Sequence, residues 1–160
     1  MPASYTFKPV GLIRTPHDRR EGMPIQSART TTAGRVEIEP EYAEGLDGLE
    51  GFSHIILLYV FHRSPGPRLT VRPFLDDASR GVFATRHPDR PNPIGLSVVE
   101  LVRREGNILH VSGVDMVDGS PLLDVKPYVP QFDHHEVTRT GWLAGQEDER
   151  PWRARFDEQL

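Results

Sequence analysis

Apolar and polar residues alternate along most of the chain with a period of two, the repeat that puts every second side chain of a strand on one face. β-branched and aromatic residues fill the alternating positions at residues 6–13, 34–38, 54–61, 69–74, 81–84, 96–102, 108–116 and 122–125. Each is predicted to be a strand. Glu105, Gly106 and Asn107 separate two of them and read as a hairpin turn. Several short strands divided by turn signals, with few stretches that could be helical, point to a barrel or sandwich rather than to βαβ units. A short helix is expected within 40–50, where Pro40 suits a first turn. Residues 145–157 are charged, interrupted by Pro151, and read as a loose tail.

Two stretches break the alternation. Residues 15–32 are polar and rich in Arg, Pro and Thr. Loops longer than about 12–15 residues are commonly functional or disordered. Residues 86–93 read RHPDRPNP. Three prolines in eight residues forbid both helix and central strand, and they stiffen the segment that carries Arg86, His87, Asp89, Arg90 and Asn92. A rigid polar loop can hold an anion or a polar ligand; it can equally be a proline corner with solvated arginines.

Composition narrows the choice. The chain has 160 residues, enough for one domain with a real core, and ordinary apolar and charged fractions of 37% and 26%. Its longest apolar run, 55–61, is far shorter than a membrane-crossing helix, and residues 1–10 lack a basic-then-apolar leader pattern, so a cytoplasmic protein is expected. The absence of cysteine excludes disulfides, thiolate metal sites and a cysteine nucleophile. A net charge of −4 gives no global attraction for nucleic acid. The basic residues are nearly all arginine, with Lys8 and Lys126 the only lysines. Arginine's planar fork suits phosphates and carboxylates, although compositional bias accounts for most of this enrichment.

Three further features bear on chemistry. The stretch VDMVDGSPLLDVKPY at 114–128 holds Asp115, Asp118 and Asp124 close to Lys126. Carboxylates there could hold hydroxyls or accept a proton, while a β-turn beside a surface ion pair explains the same residues. The strand at 54–61 carries His54 at one end and His62 and Arg63 past the other. Gly45, Gly48 and Gly51 recur every third residue without the strand and helix that a dinucleotide fingerprint needs. Neighbouring His134 and His135 would face opposite ways on a strand and make a poor metal pair. No HExxH, GxSxG or P-loop motif is present.

Taken together, VGLIRTP (10–16), PEYAEGLDGLEGFSHI (40–55), VFHR (60–63), GVFATRHPDRPNPIGLSVVEL (81–101) and VSGVDMVDGSPLLDVKPYVP (111–130) resemble the TsaA-like, TrmO-type family of tRNA methyltransferases. The likeness covers roughly residues 5–132, and the proline-rich string is its most specific part. It implies a mainly β fold: a small closed or nearly closed β-barrel with long functional loops and few short helices. The barrel domain would occupy residues 1–135, with 136–160 a C-terminal extension or tail. Larger members carry an additional C-terminal domain, so this chain looks like the short form.

The resemblance also implies a homodimer that binds S-adenosylmethionine near the subunit interface and N6-methylates threonylcarbamoyladenosine beside the anticodon of threonine tRNA. By motif, the cofactor site would use Gln26, Ser27, Ala28, Arg29, His62, Arg63, Arg86, Ser97, Val98, Val114, Asp115, Met116 and Val117. The first loop reads PIQSAR where the family usually has a string like PRQPGL, so Gln26 matches and its neighbours do not. His87 stands where a small residue is common.

Methyl transfer needs in-line approach, so positioning supplies most of the effect. Asp118, Asp124 and Tyr128 are candidates to take the acceptor's proton or stabilise the departing charge, and Lys126 to bind its carbonyl oxygen. Substrate contacts are assigned to Arg19, Arg20, Arg90 and Asn92, with Arg90 for the threonine carboxylate. Arg14, Arg19, Arg20 and Arg29 form one candidate phosphate patch and Arg63, Arg68 and Arg72 another; Tyr128 and Phe83 are candidates for base stacking. The rival readings are a methyltransferase acting on another RNA or a small molecule, and a non-catalytic module that binds an adenosyl ligand or RNA.

Overall fold

A computed structural model describes residues 3–18, 31–73 and 77–144. Six antiparallel strands close into a barrel in the order β1-β2-β7-β6-β3-β8: β1 (Gly11–Arg14), β2 (Ala33–Ile38), β7 (Ile108–Ser112), β6 (Ile94–Glu105), β3 (His54–Val60) and β8 (Ser120–Pro127). A two-residue ladder of β4 (Thr70–Val71) and β5 (Arg80–Gly81) stands apart. The mainly β barrel expected from the sequence is therefore the observed fold.

Alternation sets what the barrel encloses. On β3, Ile55, Leu57 and Tyr59 point inward and are buried, while Ile56, Leu58 and Val60 point outward. Ile13, Val36, Ile38, Val99, Leu101, Leu109, Val111 and Leu122 complete the interior from the other strands. Each such side chain contributes about 1.5–3 kcal/mol by leaving water. Leu46 closes the far end from the connection after β2. The short helix expected there is present as a 3₁₀ helix, Pro40–Leu46, with Pro40 in its first turn, and a second, Leu49–Gly51, follows after Gly48 at φ +88°. Leu46 is the one fully buried residue of this stretch, too little apolar face to drive an α-helix.

Strand limits differ from the alternation in instructive ways. Residues 5–9 alternate but stay exposed; Pro9 offers no N–H, and pairing begins with the Val10 amide on the Leu122 carbonyl. The segment 69–74 yields only β4, followed by Pro73, and Phe74 lies outside the described residues. Residues 82–84 form a 3₁₀ turn instead of a strand, because the amide and hydroxyl of Thr85 both donate to the Val82 carbonyl. β7 stops at Ser112, where Gly113 takes φ +103°. β6 runs on through Arg103, Arg104 and Glu105, whose side chains pair among themselves, with Glu50 and with His110, and the expected turn at Gly106 (φ +61°) links it to β7. The loose-tail segment 145–157 lies outside the described residues.

Register fixes the ends. Val60 pairs with Ile94, Tyr59 with Leu122, Ile13 with Ser120, Arg14 with Arg35, and Ala33 with Ser112. The strand ends that bound the three connections, 14 and 33, 60 and 94, and 112 and 120, therefore all lie at one end of the barrel. At the other end lie residues 39–53, the Gly106 hairpin and the exit of β8.

Candidate functional site

That shared mouth brings the chemically distinctive loops together. Residues 113–117 are all buried and cross it. They can do so because Gly34 has no side chain: a Cβ there would lie 2.6 Å from Val114 Cγ1. The first loop is tied to this crossing at its root. The Thr15 amide donates to Asp118 Oδ1 at 3.0 Å, the Thr15 hydroxyl to the Met116 carbonyl at 2.9 Å, and the Asp118 amide to the His17 carbonyl at 2.6 Å. Buried His17 sets Nε2 3.4 Å from the Val114 carbonyl.

Behind the crossing lies a buried polar chain. The Ser97 hydroxyl donates to Asp115 Oδ1 at 2.6 Å and lies 2.9 Å from the Tyr59 hydroxyl. All three residues are buried. Burial above all holds the Tyr59 phenol well above its ordinary value; the Asp115 carboxylate pushes the same way, and the Ser97 bond and the Arg86 charge oppose it. Tyr59 thus stays a neutral hydroxyl, and Arg86 is close enough to act on it electrostatically. The ring is fixed by an edge-on contact with Phe61 (centroids 5.6 Å apart) and by Gly95, where a Cβ would lie 2.5 Å from the ring.

The RHPDRPNP loop is braced from within. Buried Asp89 accepts from the Ser64 hydroxyl at 2.7 Å and lies 3.6 Å from Arg68 Nη2, joining the loop to residues 64–68. The Thr85 hydroxyl receives the His87 amide, and the Asp89 amide donates to His87 Nδ1. Arg90 Nη1 donates to the carbonyls of Thr85 and His87, and its guanidinium lies 6.0 Å from the ring centre of Phe83, itself 76% exposed. These bonds hold Asp89 and Arg90 within the loop that the sequence expected to be stiff.

The sequence-derived residues therefore divide. Arg86, Ser97, Asp115, Met116, Val117, Val114 and Asp118 belong to the mouth or the chain behind it. His62 and Arg63 follow β3 at this same end, exposed, while Asn92 is exposed beside the start of β6. Val98 points outward on β6, opposite Ile56. Asp124 and Lys126 are also on the outer wall, opposite Leu58 and Ile56, paired with each other at 2.8 Å. Tyr128 is at the far end, its amide on the His54 carbonyl. Gln26, Ser27, Ala28, Arg29, Arg19 and Arg20 lie outside the described residues. His134 and His135 follow the short α1 (Pro130–Asp133) rather than sitting on a strand.

Residues 12–134 match the family model described as the tRNA-methyltransferase O N-terminal domain. The chain belongs to this family. It is 52% identical over 144 residues to a probable S-adenosyl-L-methionine-binding protein of Pyrococcus abyssi, covering 89% of this chain and 78% of that one. It is 41% identical over 139 residues to the tRNA (adenine(37)-N6)-methyltransferase of Escherichia coli K12, covering 80% of this chain and 59% of that one. The crystal structure of TrmO from Pseudomonas aeruginosa superposes with a TM-score of 0.74 at 38% identity, over 87% of this chain and 62% of that chain. The chain thus spans about three-fifths of the length of these last two.

Within the family domain the sequence did not single out Tyr59, because an aromatic at an inward strand position reads as core. The one signal for it was Gly95 on the paired strand, which leaves room for its ring. Ser64 was equally silent, since its role exists only through Asp89, 25 residues on.

Proposed function

We propose that the chain is an S-adenosylmethionine-dependent methyltransferase that acts at N6 of the threonylcarbamoyl-modified adenosine beside the anticodon of threonine tRNA. The observation that carries this reading is the convergence of three loops at one barrel mouth over the Tyr59–Ser97–Asp115 chain, with Arg86 beside it. Membership of the tRNA-methyltransferase O family supports it.

The residues present fit the cofactor's chemistry. Arg86 is the cation for its carboxylate end. Asp115, buried and oriented by Ser97, suits ribose hydroxyls or an adenine edge, and the backbone of 114–117 offers further polar contacts. His62, Arg63 and the first-loop residues 26–29 complete the proposed set. Bound there, S-adenosylmethionine supplies an electrophilic methyl group. The protein's part is to orient the acceptor and manage its proton. Of the four candidates, Asp118 is the one at the mouth, steadied by Thr15 and 3.9 Å from Arg14, so we assign it the proton of the acceptor nitrogen. Asp124, Lys126 and Tyr128 would meet a mouth only across a subunit boundary. Arg90 is committed by one nitrogen to its own loop and keeps the rest of its fork for the substrate carboxylate.

We further propose a cytoplasmic homodimer, a barrel domain ending near residue 135 and an extension from 136. The outer faces of β3 and β6 support the dimer: Ile56, Leu58 and Val60 pair with Val98, Leu96 and Ile94 as a continuous apolar surface, with Ile94 and Leu96 41% and 47% exposed.

Calorimetric titration with S-adenosylmethionine, for the wild type and Arg86→Ala, tests the cofactor site; sharp weakening in the variant is expected. Methyl transfer to tRNA from cells with and without the threonylcarbamoyl modification tests the acceptor. Transfer to both RNAs alike would point to another acceptor. Binding without transfer to any RNA would favour a non-catalytic adenosyl-binding module.

A further inference from the structure

The chain beyond β8 is tied to the site. It leaves the barrel at the end remote from the mouth, where the Tyr128 amide bonds the His54 carbonyl. The turn of α1 is closed by the Val129 amide on Asp133 Oδ2 at 2.7 Å. Residues 134–140 then carry the chain without helix or strand to a 3₁₀ turn, Gly141–Leu143. There the Trp142 indole N–H donates to the Ala84 carbonyl at 2.8 Å, a bond that joins positions 58 residues apart.

Ala84 is not a neutral attachment point. It ends the Val82–Ala84 turn, whose carbonyl at Val82 holds both donors of Thr85. Thr85 in turn receives the His87 amide on its hydroxyl and Arg90 on its carbonyl. Arg86 sits inside this set of bonds. Trp142 also lies eight residues past the end of the match to the family domain at 134, so the anchor comes from outside that domain.

We propose that Trp142 is a positioning residue: the strap 128–144, through its indole N–H, holds the 82–87 turn so that Arg86 is presented to the barrel mouth. This deepens the reading of the mouth as the S-adenosylmethionine site and rests on it for its effect on affinity.

Two measurements on the full chain separate the two claims. Amide hydrogen exchange across residues 84–89 needs no ligand. In Trp142→Phe, which keeps an aromatic ring but loses the donor, exchange there is expected to rise about fivefold with β3 and β6 unchanged, as loss of one neutral hydrogen bond allows. Titration with S-adenosylmethionine is expected to show a Kd raised about three- to tenfold in the same variant, with an unchanged melting temperature. Unchanged exchange would overturn the anchor. Faster exchange with unchanged affinity would overturn the positioning role. If the wild type itself binds no S-adenosylmethionine, the cofactor reading fails, and the exchange result alone decides whether the strap holds the turn. Should Trp142→Phe unfold, trypsin cleavage after Arg86 is compared in Trp142→His, whose ring can still donate, and Trp142→Leu, whose side chain cannot: faster cleavage in Trp142→Leu than in the wild type upholds the anchor, and wild-type rates in both variants overturn it.

Discussion

Tyr59 answers two demands with one side chain. Its ring fills the barrel between Phe61 and Gly95, and its hydroxyl meets Ser97 in the chain that ends on Asp115. Because burial raises its folded-state value above the ordinary 10.0, the neutral form is favoured by folding. The resulting stability is fully present below about pH 10 and is lost as pH rises through the higher folded value, since only the unfolded chain releases the proton readily. Urea denaturation at rising alkaline pH should show this loss in the wild type and a smaller one in Tyr59→Phe; equal slopes would show that Tyr59 is not the source. Asp118 carries a sharper claim. Asp118→Asn still offers an oxygen to the Thr15 amide, so the loop root should hold. Methyl-transfer kcat should fall about 10²-fold or more while the Kd for S-adenosylmethionine stays within about twofold. Undiminished turnover would remove Asp118 as the base. Asp118 and Asp115 could be singled out in the sequence because they sit in a recognisable string. Tyr59 could not, because its importance comes from a hydroxyl that meets Ser97, 38 residues away, only after the strands pair.

Strands and turns show where local pattern suffices and where it does not. The segment 54–61 alternates and forms β3 almost as expected, since each face has its own solvent and alternation says which. The segment 82–84 has similar residues, yet two bonds from Thr85 draw it into a turn. The end of β7 was similarly hidden, because the apolar run through Val117 is buried for another reason: it crosses the mouth. Two glycines separate scaffold from site. Gly106 sits at φ +61° in the remote hairpin with open space around it. Gly106→Ala should cost about 1–2 kcal/mol of stability and leave S-adenosylmethionine affinity unchanged. Gly95→Ala would set a Cβ 2.5 Å from the Tyr59 ring and displace it. It should cost about 1–3 kcal/mol and weaken ligand binding as well, by moving the hydroxyl away from Ser97. Denaturation and calorimetry on both variants check the contrast; equal effects on affinity would separate Tyr59 from the site.

At the scale of the molecule, a net charge of −4 must be reconciled with the proposed RNA partner. Distribution resolves it: Glu37 is paired on the barrel wall and Glu50 and Glu105 toward the end remote from the mouth, whereas Arg63, Arg68 and Arg72 are exposed on the loop that opens at the mouth. Arg68 also braces Asp89, so the clean test is Arg63→Glu with Arg72→Glu. The plot of log affinity for tRNA against log salt should become shallower by about two, one for each arginine that no longer neutralises a phosphate. The apolar outer wall poses the complementary question. Six aliphatic side chains in register on β3 and β6 are more than solubility favours on an exposed face, and Asp124 and Lys126 border them. A second copy seated there would remove the apolar surface from water and bring those bordering residues to a subunit boundary. Leu96, 47% exposed at the centre of this surface, is the position to change. Leu96→Glu leaves the barrel interior untouched, because Leu96 faces outward between Gly95 and Ser97. It places a charge where the partner would exclude water, which an interface tolerates poorly. Sedimentation at micromolar concentration should therefore show a wild-type dimer and a folded Leu96→Glu monomer. A monomeric wild type would mean that this face serves no dimer, and a dimeric variant would place the interface on another wall.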